Sequence, residues 1–320
     1  MQCLIIYMYS PKFIFLFFLF SIISIPPFCF AHPKENKINI GILNGYQLYL
    51  KKYSQKYRII TWDGHLSTLQ KALSQNKSPV DILLLNEKIA EQACNLGLLI
   101  AFPEDLLSSN DKQCNFQTIT DHITLAWDTD KVHFNPTWKD FWNITQYPGK
   151  RGLQKDAFSA LSIALLADDV PFDEVTEVLS TPTGILRAFK KLNQLRPYIV
   201  WWTTPNEANF LLHKNQVLMT SGSILSISAF QKQYPLSHFQ YQYKNTIENP
   251  IVFSIPATIP TQRIKLINSL LQHPSFLSFP SADPKQIMQE TIVKEETNSF
   301  QQPTVSLDDI FDEWLVLTKQ

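Results

Sequence analysis

Glycine is scarce in this chain, which has only eight among its 320 residues. No group of them forms a G-x-G-x-x-G or Walker-type loop, so we expect no nucleotide held by a glycine-rich turn. The seven histidines form no H-E-x-x-H motif, and no G-x-S-x-G nucleophile elbow occurs. The sequence therefore predicts a protein that is not an enzyme and that has neither a cofactor nor a metal site.

An excess of charge of either sign is missing as well. The chain has 28 Lys and Arg residues against 28 Asp and Glu residues. Nucleic-acid-binding domains usually carry a basic surplus, so we expect no nucleic-acid partner. The hydrophobic content of 45% argues against disorder, and the length suffices for two domains of ordinary size.

The N-terminal region contains the longest apolar run. A lysine precedes Phe13–Ile25, two prolines follow, and Ala31 stands at a plausible cleavage point. This order is typical of a secretory signal peptide covering residues 1–31, and it predicts a periplasmic mature protein. Two alternatives stay open. The run extended to Phe30 is about long enough to anchor the chain in a membrane, and Cys29 offers a lipidation site, although "PPFC" lacks the usual small residues before it.

Two cysteines, Cys94 and Cys114, stand outside the predicted signal peptide. An even pair in an oxidising compartment predicts one disulfide. Two buried free thiols are the alternative. A bridge that closes a loop of about 20 residues would contribute about 3 kcal/mol to stability.

Predicted strands and helices alternate along the chain, which indicates α/β layers around a mostly parallel sheet. The predicted strands are Lys37–Leu43, Tyr57–Trp62, Pro79–Asn86, Tyr198–Trp202, Gln216–Ser221 and Ile251–Pro256. The predicted helices are His65–Gln75, Glu87–Leu96, Ala157–Asp169, Pro182–Leu195, Asn206–Asn215, Thr261–Gln272, Ser281–Glu290 and Ser306–Leu317.

Three segments in the middle of the chain resemble extracellular solute-binding proteins of the spermidine/putrescine group, the soluble partners of ABC importers. The segments are "TWKDFW…PGKRGL" (Thr137–Leu153), "ALLADDV" (Ala164–Val170) and "RPYIVWW" (Arg196–Trp202). The positions of Cys94 and Cys114 also resemble a cysteine pair that is common in one branch of this group.

The resemblance implies an α/β, two-lobed type II periplasmic-binding-protein fold. Mixed sheets flanked by helices would form two lobes, joined by two crossovers, with a ligand cleft between the lobes that closes by a hinge. After the signal peptide, residues 32–132 would form the first lobe and residues 133–251 the second. Residues 252–320 would return to the first lobe.

The aromatic residues of Trp138–Tyr147 follow the first crossover in this scheme. The resemblance implies that Trp138, Phe141 and Trp142 pack an early helix of the second lobe rather than line a ligand surface. Arg151 is interpreted as one partner of a structural ion pair, with anion binding as the alternative.

The resemblance places the ligand at the carboxyl ends of the strands. A polyamine requires carboxylates for its ammonium groups and aromatic faces for its methylenes. Several pocket positions depart from the family pattern, including Gly222–Ser226, "GSILS", where relatives have "AYNGR". The residues that we expect to bind a ligand are Asn44, Tyr46, Asn86, Asp121, Trp202, Thr203, Glu207 and Ser223. For Glu207 the alternative is an exposed acid at a helix start, where the helix dipole favours it.

The predicted function is that of the periplasmic solute-binding component of an ABC importer. It would capture a small, amine-bearing, polyamine-like ligand and deliver it to a membrane permease and ATPase complex, and we expect a monomer. The alternative is a secreted interaction protein that keeps the solute-binding scaffold but has a degenerated pocket, because the altered positions are those that would have identified the ligand.

Overall fold

The structure, a computed structural model, describes residues 37–47, 57–75, 80–102, 114–271, 292–293 and 306–317. The predicted signal peptide at residues 1–31, with Cys29, and the helix predicted at 281–290 lie outside these residues. Among the described helices, none is both long and apolar enough to cross a membrane.

The described residues form eleven strands of one mixed sheet, in the order β2-β1-β3-β10-β5-β8-β6-β7, with β4 and β11 beside β10 and β9 beside β5. The strands are β1 Asn39–Leu43, β2 Arg58–Trp62, β3 Ile82–Asn86, β4 Leu99–Ile100, β5 Asn115–Asp128, β6 Arg151–Gln154, β7 Ile199–Trp202, β8 Met219–Ser223, β9 Phe239–Tyr241, β10 Thr246–Pro256 and β11 Ile292–Val293.

Ten α-helices cover the sheet within the same described ranges. They are α1 Leu66–Ser74, α2 Glu87–Asn95, α3 Trp138–Trp142, α4 Ala157–Ala167, α5 Val175–Leu179, α6 Pro182–Leu195, α7 Pro205–His213, α8 Ile224–Gln233, α9 Thr261–Leu271 and α10 Leu307–Leu317. Several begin at a side chain that accepts a backbone N–H, namely Asn86, Asp156 and Thr181. Such caps satisfy amides that the helix itself cannot pair.

Two long antiparallel strands join the two halves of the sheet. These strands, β5 and β10, have 14 and 11 residues and pair with each other. We call the part with β1–β3 the first lobe and the part with β6–β8 the second lobe. The sheet is mixed rather than mostly parallel, because β3 runs antiparallel to β10 and β8 runs antiparallel to β5.

The apolar run of β3 is buried on both faces of the first lobe. Ile82 and Leu84 pack in one cluster with Phe253 of β10. Leu83 and Leu85 point to the opposite face, because side chains alternate along a strand, and they pack in a second cluster against α1 and α2. This two-sided burial explains the continuous apolar run in the sequence.

The aromatic residues that follow the first crossover pack in the hydrophobic core, as predicted for Trp138, Phe141 and Trp142. Trp138 and Phe141 are buried in the second-lobe cluster, and Trp142 packs against it. A capping box between Thr137 and Asp140 starts the short helix α3 that presents them. These side chains therefore anchor the chain in the second-lobe core just after the crossover strand β5.

Arg151 is fully buried, and the prediction that it forms an ion pair was wrong. Its guanidinium donates to the main-chain oxygens of Tyr147 at 2.6 Å, Phe141 at 2.7 Å and Gly149 at 2.8 Å. Within the described residues no carboxylate pairs with it. Burial lowers the pKa of Arg151 to about 10. The side chain thus holds the segment before β6 onto the sheet through carbonyl groups.

Cys94 of α2 and Cys114, which precedes β5, form the predicted disulfide, with Cα atoms 5.8 Å apart. The bridge links a first-lobe helix to the start of a crossover strand. Cys114 belongs to the cluster that covers one face of the first-lobe sheet, and Cys94 packs against that cluster.

Replacing both cysteines with alanine is expected to lower the free energy of unfolding by about 3 kcal/mol, because the unfolded chain loses a closed loop. Urea denaturation of the oxidised protein and of the double variant measures this difference. A reducing agent should destabilise the unmodified protein and leave the double variant unchanged. Equal stability of the two oxidised proteins would contradict the expectation, as would labelling of Cys94 or Cys114 by a thiol reagent without reduction.

The C-terminal helix α10 packs on the second lobe, although the sequence assigned residues 252–320 to the first. Phe311 and Leu315 lie in the second-lobe cluster, and Phe311 meets Trp201 edge to face, with centroids 5.7 Å apart. Lys88 of α2 pairs with Asp308 at 2.8 Å. The apolar face of α10 therefore packs on the second lobe, and its Asp308 contacts the first lobe through the ion pair with Lys88.

Candidate ligand site

The two lobes meet at the loop that follows β1. In this loop the carbonyl oxygen of Asn44 accepts from the amide of Asn206 at 3.2 Å, and that of Gly45 accepts from the Ser226 hydroxyl at 3.1 Å. Gly45 has φ of +119°, and a Cβ atom there would lie 2.5 Å from the Asn206 nitrogen. Only glycine permits this backbone and this close approach. We call the region around these contacts the junction.

A buried hydrogen-bond network lies beside this loop. The Tyr46 hydroxyl, whose residue is 4% exposed, donates to Asp121 Oδ2 at 2.6 Å and accepts from Asn249 Nδ2 at 3.4 Å. Asn86 Nδ2 in turn donates to Asn249 Oδ1 at 2.5 Å. The network thus joins two first-lobe residues to the facing residues Asp121 and Asn249 of the crossover strands.

Asp121 connects this network to the second lobe. Its side chain is fully buried, and its Oδ1 accepts from the Leu225 amide in the first turn of α8 at 3.2 Å. The Ser223 hydroxyl approaches the same carboxylate and lowers its pKa. Within the described residues, each group that donates to this carboxylate is neutral.

Burial shifts the pKa values of Asp121 and Tyr46, the pair at the centre of the junction. Desolvation raises the pKa of Asp121, and the hydrogen bonds from Ser223, Tyr46 and the Leu225 amide oppose that effect. Desolvation also raises the pKa of Tyr46, and the Asp121 charge raises it further. The phenol therefore keeps its proton and acts as the donor in this pair.

Three of the predicted ligand residues, Trp202, Thr203 and Glu207, lie where β7 leads into α7. Glu207 is exposed, and its Oε2 accepts from the amide of Thr203 at 2.8 Å and from the Thr203 hydroxyl at 3.1 Å. These contacts correspond to the helix-start alternative for Glu207. Trp202 is buried in the second-lobe cluster, and its indole nitrogen has no hydrogen-bond partner within the described part of the chain.

The structure thus brings Tyr46, Asp121 and Ser223, which are buried, and Asn86, which is half-buried, into one network, with the Asn44 carbonyl close by. Thr203 and Glu207 instead form a helix cap. That any of these residues binds a ligand stays a prediction.

Sequence reasoning missed Asn249 and Ser226. Asn249 lies within the long strand β10 and bridges Asn86 and Tyr46. Its signal was an amide that stands two residues before the predicted strand Ile251–Pro256. Ser226 is fully buried and carried no signal, because its partner is a main-chain oxygen.

Carboxylates gather next to Asn86 at the N-terminus of α2. Burial raises the pKa of Glu87, and the nearby charges of Glu91 and Glu248 raise it further. Nearby like charges disfavour the ionised form of a carboxylate. We call these three acids, Glu87, Glu91 and Glu248, the acidic edge.

Comparisons with known proteins give a family match. The sequence profile described as bacterial extracellular solute-binding protein matches residues 56–277. The chain is 31% identical over 180 residues to the gamma-aminobutyric acid-binding protein of Pseudomonas aeruginosa, an alignment that covers 54% of this chain and 51% of that protein. The chain therefore spans about half the length of this curated relative.

Several solved structures have a similar fold. An ABC transporter substrate-binding protein from Bradyrhizobium japonicum superposes with a TM-score of 0.67 at 18% identity, covering 89% of this chain and 99% of that one. The spermidine/putrescine ABC transporter substrate-binding protein PotD from Streptococcus pneumoniae gives 0.56 at 14% identity, covering 88% and 98%. At such identities the likeness shows the fold alone, and it confirms the predicted α/β periplasmic-binding architecture. The named relatives are solute-binding proteins rather than enzymes.

Proposed function

Because the chain belongs to the bacterial extracellular solute-binding protein family, we propose that it captures a small solute at the junction and delivers it to the permease and ATPase complex of an ABC importer. The family is extracellular, which places the chain outside the cytoplasm. In this proposal residues 1–31 are removed as a signal peptide, and the mature protein works in the periplasm as a monomer.

The observation that carries the proposal is the buried network at the junction. It contains groups from the first lobe, from both crossover strands and from the start of α8. A hinge motion about the crossover strands would separate these groups and expose them to solvent. Closure would then enclose a solute among Tyr46, Asp121 and Asn249.

An amine is the ligand group that this network suits best. A buried carboxylate that meets only neutral donors is costly, and a cation would compensate it. The Tyr46 ring offers an aromatic face for such a cation, and the acidic edge near Glu87 would attract it. The curated relative and PotD are both named for solutes that carry an amine.

A thermal-shift screen with putrescine, spermidine, 4-aminobutyrate and an uncharged sugar tests the proposed function. A ligand present at 100 times its Kd adds about 2.7 kcal/mol of stability, which is several degrees for a chain of this size. We expect a shift with an amine and none with the sugar. No shift with any compound would contradict the proposal and favour a secreted interaction protein with a degenerated pocket.

Replacing Asp121 with asparagine is expected to weaken amine binding by about 10- to 100-fold, because a hydrogen bond to a charged group contributes about 1.5–3 kcal/mol. Isothermal titration calorimetry with the amine that gives the largest thermal shift measures the change in Kd.

Asp128→Asn is the matched control for this substitution. Asp128 is a buried acid of the same strand, but it pairs with Lys131 at 2.9 Å, away from the network. Its replacement should leave the amine affinity unchanged. An Asp121→Asn protein that binds the amine as tightly as the unmodified protein would remove Asp121 from the site.

A further inference from the structure

We propose that Lys88 is a positioning residue for closure of the two lobes. Through its ion pair with Asp308 it makes the helix α10 a strap, which is held on the second lobe and draws the first lobe toward it. This role goes beyond the proposed function, because it concerns how the lobes are held together and not which solute lies between them.

Helix α10 is held on the second lobe by its aromatic face. Phe311 and Leu315 are buried in the second-lobe cluster. The Trp314 indole nitrogen donates to Asn193 Oδ1 of α6 at 3.0 Å, and its ring meets that of Trp201 edge to face, with centroids 6.2 Å apart. We therefore expect α10 to move with the second lobe when the lobes separate.

Helix α2, which carries Lys88, is held on the first lobe at both of its ends. At the first turn, the Asn86 side chain accepts from the Lys88 amide at 3.0 Å. Ala90 is fully buried in the cluster that covers β3, and in the last turn Cys94 is bridged to Cys114. The main chain of Lys88 therefore moves with the first lobe.

The ammonium group of Lys88 crosses from α2 to the second lobe. Its Nζ lies 2.8 Å from Asp308 Oδ1, and the two side chains are only 24% and 31% exposed. Asp156, the N-cap of α4, is a second carboxylate on that side. Desolvation raises the pKa of Asp156, and the charge of Lys88 opposes that effect. Lys88 thus faces two acids of the opposite lobe.

The helix dipoles favour this arrangement only while the lobes are together. Lys88 lies in the first turn of α2, where the dipole disfavours a cation, whereas Asp308 and Asp156 lie at helix starts that favour anions. Separation of the lobes would leave Lys88 with Glu91, three residues along α2, in the less favourable order of charges for a helix. The closed arrangement therefore gains the most from Lys88.

Pulsed electron paramagnetic resonance on the full chain, with no solute added, tests this role. Spin labels at cysteines introduced for Ser67 of α1 and Lys190 of α6, both exposed, report the separation of the lobes. We expect Lys88→Met to lower the ratio of short to long distances at least about threefold relative to the labelled parent protein. Asp308→Asn should lower it too, but should add nothing in the Lys88→Met background, because both substitutions remove the same pair.

Lys191→Met is the matched control. Lys191 pairs with Asp168 at 3.5 Å, and the two side chains are 16% and 33% exposed, but both residues belong to the second lobe. Its replacement should leave the distances unchanged. Because salt screens partly exposed charges, raising sodium chloride from about 0.05 M to about 0.5 M should lower the short-distance fraction of the parent protein and not that of Lys88→Met.

Equal distance distributions in the parent protein and in Lys88→Met would overturn the role of Lys88, even if the variant unfolds at a lower temperature, since the pair would then be structural only. An equal change in Lys191→Met would overturn it as well. Asp308→Asn, which keeps the side-chain volume, gives the same comparison if Lys88→Met does not fold. Because no solute is present, these results leave the proposed solute capture untouched, and a flat thermal-shift screen would leave the strap in place.

Discussion

Replacing Arg151 with methionine is expected to lower the free energy of unfolding by about 3–5 kcal/mol, which is large for a single substitution. Methionine keeps much of the side-chain length but donates no hydrogen bond. The carbonyl groups of Phe141, Tyr147 and Gly149 would then lose their donor. A buried polar group left without its partner costs about 1–3 kcal/mol. Urea denaturation followed by tryptophan fluorescence measures the loss.

Arg187→Met is the matched control in the same lobe. Arg187 is exposed on α6, where it pairs with Asp168 at 2.7 Å. Exposed pairs contribute at most about 1 kcal/mol, so this variant should unfold nearly as the unmodified protein does. Arg151→Lys is a further test, because it keeps the charge without the planar fork and should recover only part of the stability. A loss in Arg151→Met no larger than that in Arg187→Met would refute the structural role given to Arg151.

Replacing Gly45 with alanine is expected to weaken ligand binding at least about tenfold, because a strained backbone conformation costs about 1–3 kcal/mol. The added Cβ would lie 2.5 Å from the Asn206 nitrogen and 2.8 Å from Pro205 Cβ. The loop after β1 then cannot reach α7 without moving the lobes apart. Calorimetry with the amine found in the screen measures the affinity, and small-angle scattering reports whether the bound protein still closes.

Gly97→Ala is the control for the backbone effect alone. Gly97 also has a positive φ, +68°, but a Cβ atom there would meet nothing within 4 Å. This residue follows α2 in the first lobe, away from the junction. Its replacement should lower stability without changing the affinity. Unchanged binding by Gly45→Ala would mean that this loop contact plays no part in closure.

Local patterns predicted most of the secondary structure. The apolar run at β3, the Thr181 cap with Pro182 behind it and the capping box at Ser306 all mark elements that the structure contains. Such signals lie within a few residues of each other, so they do not depend on the rest of the fold. The disulfide was predicted from compartment and cysteine count.

Contacts between distant segments were harder to predict. An apolar stripe shows that α10 is buried, but it does not show which lobe receives it. Arg151 binds main-chain oxygens, and a sequence displays only side chains. The bridging role of Asn249 depends on the register between β10 and β5, which fixes its place opposite Asp121. These contacts form only in the assembled sheet, so local sequence patterns do not predict them.

The sequence predicted only part of the candidate site. The resemblance predicted that the ligand lies at the carboxyl ends of the strands, and four of the eight predicted ligand residues belong to one network. It did not indicate that Glu207 accepts from the start of its own helix, because the exposed and the ligand-facing positions differ by less than one helical turn.

The position of α10 has a consequence for the order in which the protein is made. A chain leaves the ribosome from its N-terminus, so the residues of this helix appear after those of the strands and helices on which it packs. Phe311 nevertheless packs against Phe189 and Trp201, which are made much earlier. The second lobe therefore cannot complete its core until residue 317 has been made. A chain that stops before residue 306 would expose Phe189 and Trp201, and quality-control proteases would remove it faster than a chain that contains α10.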